Sequence, residues 1–224
     1  FFLYYDHLVM LEHKPQKTFL SLPEEKRQKI VEIATKEFAI KGYAKASLNR
    51  IVEKLGIAKG SIYQYFHNKE HLFLYVFSHG VRLAKDILKP IKSQKGNIFE
   101  KLSASLKMGI LFIQQHPHIY QIYLKILFED KVPGRKHLLK AIRFYSRDYL
   151  LPLLKEAQTK GEIRQDLDLE MTAFMLDAMM ERFLQAYSLS YLDTIDIYEA
   201  KTESLEKKIS IWIDILKRGL SNGK

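Results

Sequence analysis

"LGIAKGSIYQYFHNKEHL", Leu55–Leu72, is the stretch on which the reading of this chain turns. Gly60 costs about 1 kcal/mol relative to alanine in a helix interior. Tyr63, Gln64 and Tyr65 are consecutive, and consecutive helical residues face different directions. Packing alone therefore asks for neither feature. Leu55 and Gly56 close one short helix, and Lys59–Phe66 forms the next, with Ile62 and Phe66 spaced to bury on one side. Upstream, "SLNRIVEKLG" offers Ser47 as an N-cap and Leu48, Ile51, Val52 and Leu55 as an apolar stripe, with Gly56 as the stop. Helices of two turns do not stand alone in water, so both must pack on a longer one.

That longer helix is read in "SLPEEKRQKIVEIATKEFAIKGY". Ser21 and Glu24 have the spacing of a capping box, Pro23 is tolerated in a first turn, and Ile30, Ile33, Ala34 and Phe38 follow helical spacing. Gly42 suits the position after the last turn, which predicts a helix over Pro23–Lys41. Three such helices with a glycine-bearing turn between the second and third match the helix-turn-helix unit.

Further on, Asn68 can cap a fourth helix that breaks near Pro90, and Ser93–Asn97 reads as a loop. Helices are then predicted over Ile98–Gln115, His118–Glu129 and about Lys136–Lys160, the last kinked at Pro152. Gly161 is read as a C-cap and Asp168 as an N-cap, followed by helices Leu169–Leu189 and about Glu199–Leu220. Strand alternation, internal repeats and low-complexity tracts are absent from the sequence. The fold class expected is all-α, about nine helices, with an N-terminal helix-turn-helix unit and a larger helical domain. The expected domains are an arm at 1–22, the three-helix unit at 23–70 and the larger domain at 71–224.

The 224 residues are 47% apolar and 28% charged, the balance of an ordinary globular chain. Net charge is +10, which suits an anionic partner, and Lys41–Lys69 holds six basic residues against one acidic. There is no cysteine, which excludes disulfides and thiolate metal sites and fits a reducing cytoplasm. "FFLYYDHLVML" is too short to span a bilayer and lacks a basic leader, so no membrane role is expected. The first methionine is Met10, and residues 1–9 read as an appendage or an arm that folds onto an apolar groove. There is no glycine-rich phosphate loop and no His-x-x-x-His pair lying on one helix, His67 preceding the helix that carries His71, and His116 and His118 merely flank a proline, so neither an enzyme nor a metal or cofactor site is expected.

The run Ser47–Leu72, together with Gly42-Tyr43 and Lys69-Glu70, resembles the DNA-binding signature of the tetracycline-repressor (TetR) family of bacterial transcription regulators. The resemblance covers roughly Gln28–Phe77. A recognition helix lies in a major groove about 12 Å wide, so the absent side chain at Gly60 allows close approach. Lys59 and Gln64 are the candidates for base edges. Ser61, Tyr63 and Tyr65 can donate to phosphates, and Ser47 at a helix N-terminus and Lys69 in the next first turn add phosphate contacts. Ser47 acting only as a cap, and Tyr63 half-buried against the first helix, are the plain structural alternatives. Ala58 stands where the family often has a hydroxyl residue.

The resemblance further implies a regulator, mostly a repressor, that binds a palindromic operator as a homodimer and releases it on binding a small effector. The last two helices would form a four-helix seam through Phe174, Phe183, Tyr187, Ile209, Trp212, Ile213 and Leu216, unless both stripes are one subunit's core. An apolar or aromatic effector would lie among Met108, Phe112, Tyr123, Phe144, Arg147, Met175 and Met179, with Gln115, His116 and Arg143 as further polar anchors. The alternative function is an all-helical protein-interaction module without DNA binding.

Overall fold

A computed structural model describes residues 15–221; the readings made for residues 1–9 lie outside the described residues. Within that range the chain is all-α, with ten helices and no strand. They are α1 (Lys17–Leu20), α2 (Glu24–Lys45), α3 (Leu48–Leu55), α4 (Lys59–Tyr65), α5 (Lys69–Ser93), α6 (Ile98–Gln115), α7 (Pro117–Phe128), α8 (Arg135–Thr159), α9 (Leu169–Ser188) and α10 (Thr202–Leu220). The element absent from the sequence reading is α1, a single turn with no periodicity to read.

Local chemistry sets most of the ends. Gly56 is left-handed (φ 66°), and Gly56 N–H donates to the Glu53 carbonyl and Ile57 N–H to the Val52 carbonyl, closing α3 in a Schellman motif. Gly161 ends α8 in the same way, its N–H donating to Gln158 and that of Glu162 to Ala157. Asn68 Oδ1 accepts from the His71 N–H at the start of α5, and Asp168 Oδ1 from the Met171 N–H at the start of α9, both at 2.8 Å.

Two expected signals work otherwise. Ser21 does not cap α2. It closes α1, with helical backbone (φ −80°, ψ −7°) and its hydroxyl donating to the Thr18 carbonyl at 2.9 Å, whereas an N-cap needs extended backbone. Pro23 takes the N-cap place. Nor does Pro90 break α5, which runs on to Ser93. A proline there removes one N–H in the last turns only, and that end is held by buried Ile91 and by the Lys101 ammonium donating to the Lys92 carbonyl.

The chain folds as two compact units: residues up to Leu83 with His116–Ala141, and Ala84–Gln115 with residues from Ile142 on. In the first, α2 packs against α3 and, more extensively, against α7 from far along the chain. Phe19, Ala34, Phe38, Ile51, Ile62, Phe66, Leu72 and Ile126 are its fully buried centre. The second is built on a cluster from α6, α8, α9 and α10 that includes Leu102, Leu154, Ala173, Leu176 and Leu216, with Ile163 from the loop after α8. Among the described residues, no helix is long and apolar enough to cross a membrane.

Gly42 is where a side chain is excluded. The backbone of α2 leaves the helix there (φ 69°, ψ 165°), and a Cβ would sit 2.6 Å from the Glu129 carboxylate at the end of α7. That conformation is all but confined to glycine. Gly42→Ala is expected to lower unfolding free energy by about 1–3 kcal/mol. Urea denaturation of the variant and of Gly42→Ala/Glu129→Ala should show little of the loss restored, because the Glu129 carboxylate ends a flexible side chain that can move aside while the backbone strain remains.

Candidate nucleic-acid interface

The seven residues of α4 and its C-cap residue Phe66 divide into an inner and an outer face. Ile62 and Phe66 are buried, while Lys59, Gly60, Tyr63 and Gln64 are exposed and Ser61 and Tyr65 half-buried. Tyr63 is 44% exposed, so part of its ring and its edge face solvent. A Cβ at Gly60 would meet nothing within 4 Å. Among the described residues no packing contact excludes a side chain at that position, so their packing does not account for the glycine. The outward surface is a short helix with a cation, a gap, three hydroxyl donors and a carboxamide, chemistry suited to base edges and phosphates.

The preceding helix α3 is tied to α2 by a carboxylate, Glu37, which the sequence reading does not single out. Glu37 on α2 is 2% exposed. It accepts from the Ser47 N–H (3.1 Å) and from Arg50 Nε (2.7 Å), with the Lys54 ammonium 3.9 Å away. Arg50 also donates to the Lys45 carbonyl at 2.8 Å, so one ion pair ties the end of α2 to the start of α3. Burial pushes the Glu37 carboxyl up, but the hydrogen bonds from Arg50 and Ser47 and the charges of Arg50 and Lys54 outweigh it and hold the group below its ordinary range. The signal was present: Glu37 lies three residues from Ala34 on the apolar stripe, where an acid must find a partner. Ser47 occupies the N-cap place in extended backbone, yet its hydroxyl makes no capping bond, contrary to the capping alternative.

Lys69 needs correction. Its ammonium was expected to face phosphates. Instead it donates to the carbonyls of Tyr43 (2.9 Å), Ala44 (3.3 Å) and Ala46 (3.3 Å) and lies 4.5 Å over the Tyr43 ring. An ammonium has three N–H donors, and all three are engaged on the carbonyl end of α2.

The residues expected to gather round an effector are divided between the two compact units. Tyr123 belongs to the first unit and Met108, Phe112, Phe144, Arg147, Met175 and Met179 to the second. Phe144 and Met175 are exposed, Phe112 and Met179 pack inward, and Arg147 is paired with Glu170 at 2.7 Å. Arg143 bridges Asp177 (2.9 Å) and Glu181 (2.6 Å). An open groove of about 390 Å³ between α6 and α10 is lined by Phe99, Ala104, Lys107, Glu206, Ile209 and Ile213 among others, none of them from the expected pocket.

The seam residues divide similarly. Phe183, Tyr187, Ile209 and Leu216 are buried within this chain, and Trp212 and Ile213 pack against its core cluster. Of the seven, only Phe174 stands out, at 68% exposure; Met171 and Met175 on α9 and Ile211 and Ile215 on α10 are likewise exposed. The helices were read correctly and the outward face was not, because a helix apolar on two sides gives no sign of which side its own subunit covers.

Comparison with known proteins adds a family. The family model described as "Bacterial regulatory proteins, tetR family" matches residues 30–76, and a tetracyclin repressor-like C-terminal domain model matches residues 96–221. A protein of Escherichia coli named "Probable acrEF/envCD operon repressor" is 26% identical over 179 residues, which is 77% of this chain and 80% of that one. The crystal structure of a TetR family transcriptional regulator from Chloroflexus aurantiacus is 31% identical, with a TM-score of 0.68 over 93% of this chain and 99% of that one. FadR from Bacillus subtilis, solved in complex with stearoyl-CoA, shares the fold at 20% identity, with a TM-score of 0.67 over 83% of this chain and 96% of that one.

The pH dependence of stability should report the Glu37 cluster. A carboxylate whose folded pKa is depressed stabilises the fold above its unfolded pKa, near 4.5, and loses that contribution as pH falls through the lower folded value. Glu37→Gln is therefore expected to cost about 1.5–3 kcal/mol at neutral pH. In urea titrations the gap between variant and wild type should narrow steadily below about pH 4.5.

Proposed function

Because the chain belongs to the TetR family of bacterial regulatory proteins, we propose that it is a transcriptional repressor that reads a palindromic operator through α4 as a homodimer. The observation that carries this reading is the open face of α4, where Gly60 leaves a gap between Lys59 and Gln64 that no packing among the described residues explains. In this reading Lys59 and Gln64 meet base edges, and Ser47, Ser61, Tyr63 and Tyr65 hold phosphates. The division of labour is then the linear one, with 23–70 reading DNA and 71–224 pairing subunits and sensing the effector. Lys69 acts indirectly, by closing the end of α2 that carries Ser47.

A single module of this kind buries only about 600–1,000 Å², too little for useful specificity, so a two-fold partner is required. The face proposed for it is the one left apolar and uncovered: Met171, Phe174 and Met175 on α9 with Ile211 and Ile215 on α10. The effector proposed is a small molecule with a large apolar body, the class to which the stearoyl-CoA of the Bacillus subtilis neighbour belongs. Release follows if the effector favours a displaced α5, the helix that starts one residue after Asn68 beside the DNA-reading unit. To turn a mostly bound population into a mostly free one, the effector must prefer the released form by about 10⁴-fold. Operator DNA then weakens effector binding by the same factor.

Three measurements test this reading. Gln64→Ala should lose about 1–3 kcal/mol of affinity for the cognate duplex while leaving scrambled DNA unaffected, as read by fluorescence anisotropy. Lys69→Met should weaken binding without changing the slope of log K against log salt, whereas loss of a phosphate contact would lower that slope by about 0.9. Phe174→Asp should shift the dimer to monomer in sedimentation velocity while helix content, read by circular dichroism, stays unchanged. A wild type that binds no duplex, cognate or scrambled, would instead favour the protein-interaction module.

A further inference from the structure

The turn α1 and its flanks have no part in the function proposed above, yet they are built against the reading helix. Thr18 Oγ1 donates to the Gln64 carbonyl, and the Gln16 N–H donates to the Tyr65 carbonyl at 3.0 Å. The side chain of Phe19 is fully buried, its ring 4.9 Å from that of Phe66, 5.3 Å from that of Tyr75 and 6.1 Å from that of Tyr65. Arg27 of α2 donates to the Leu20 carbonyl at 3.1 Å and so ties the turn to the long helix.

Two consequences follow from the position of these contacts. The last carbonyls of any helix lack partners within it, and in a helix of seven residues these are most of what there is. Here two of them are satisfied from outside, by α1. The contacts also lie on the inner side: α1 reaches Gln64 through its backbone and leaves its carboxamide exposed.

We propose that α1 is a positioning element for DNA reading: through Thr18, the Gln16 N–H and Phe19 it fixes the angle and depth at which α4 presents Lys59 and Gln64. This rests on the reading of α4 as the DNA-contacting helix. Base-edge hydrogen bonds form only within about 2.7–3.2 Å, so a tilt of α4 removes them. Attraction to phosphates is long-ranged and tolerates the same tilt. Loss of α1 contacts therefore falls on discrimination between sequences and spares non-specific binding. The one charge on α1, exposed Lys17, supplies the competing account, in which the turn touches DNA directly.

The probe is a duplex recovered from a random-sequence pool by the full wild-type chain, set against a scrambled duplex of the same composition. The variants are Thr18→Val, Phe19→Ala, Phe19→Leu and the pair Gln16→Pro and Gln16→Ala. Gln16 has φ −60° and ψ 155°, which proline adopts, so Gln16→Pro removes the N–H and the side chain, while Gln16→Ala removes the side chain alone. The expected result is a cognate-to-scrambled affinity ratio reduced about threefold by Thr18→Val and by Gln16→Pro relative to Gln16→Ala, in keeping with one lost hydrogen bond. Phe19→Ala should reduce it about tenfold or more, with Phe19→Leu recovering part. The salt slope should stay at the wild-type value, and amide hydrogen exchange over residues 61–66 should quicken. If Phe19→Ala does not fold, the Thr18 and Gln16 variants decide alone. An unchanged ratio in all variants overturns the proposal, as does a slope lowered by about 0.9, which marks direct phosphate contact. A wild type that recovers no duplex overturns the reading of α4 itself, and this proposal with it.

Discussion

A helix of seven residues cannot hold itself together, and the first unit is arranged around that constraint. Nearly all of its polar backbone groups are terminal, and forming it alone costs more conformational entropy than its few internal hydrogen bonds return. The helix must nevertheless be short and stand clear if one side is to stay bare. The protein resolves this by burying Ile62 and Phe66 almost completely while Lys59, Gly60 and Gln64 remain in solvent. The stability of α4 thus comes from its surroundings: α3 through the Gly56 turn, and α1 through two carbonyls and the Phe19 ring.

The same economy governs the charges around it. The chain is strongly basic, but its cations divide by what the fold asks of them. Arg50 and Lys69 are turned inward, one onto buried Glu37 and the other onto three carbonyls where α2 ends. Both serve the junction that carries Ser47. Lys59 has its side chain exposed on the outer face of α4, where a mobile ammonium can meet an anion. Counting basic residues in a window does not separate these roles, because a lysine that caps a helix and one that faces solvent look alike in sequence.

In the second unit the question is which apolar faces are interior. The stripes on α9 and α10 are broad enough to cover more than one side. Leu176 and Leu216 enter the core, while Phe174 and Ile215 remain outside it. An uncovered band of large apolar side chains is uncommon on a monomer and marks a surface that meets something else.

Much of this molecule was determined by short-range patterns in the sequence. The all-α class, the stops at Gly56 and Gly161, the caps at Asn68 and Asp168 and the outer face of α4 all depend on residues within about one turn of each other, and such patterns can be read without the fold. Tertiary structure alone decided the rest. The turn α1 has no periodicity and is held at Tyr65, dozens of residues along the chain. Glu37 is paired because Arg50 reaches it, Lys69 is inward because α2 ends beside it, and α9 buries Phe183 and leaves Phe174 exposed according to which of its sides its own subunit covers. Each outcome depends on which distant element supplies the partner, and a one-dimensional pattern does not contain that choice.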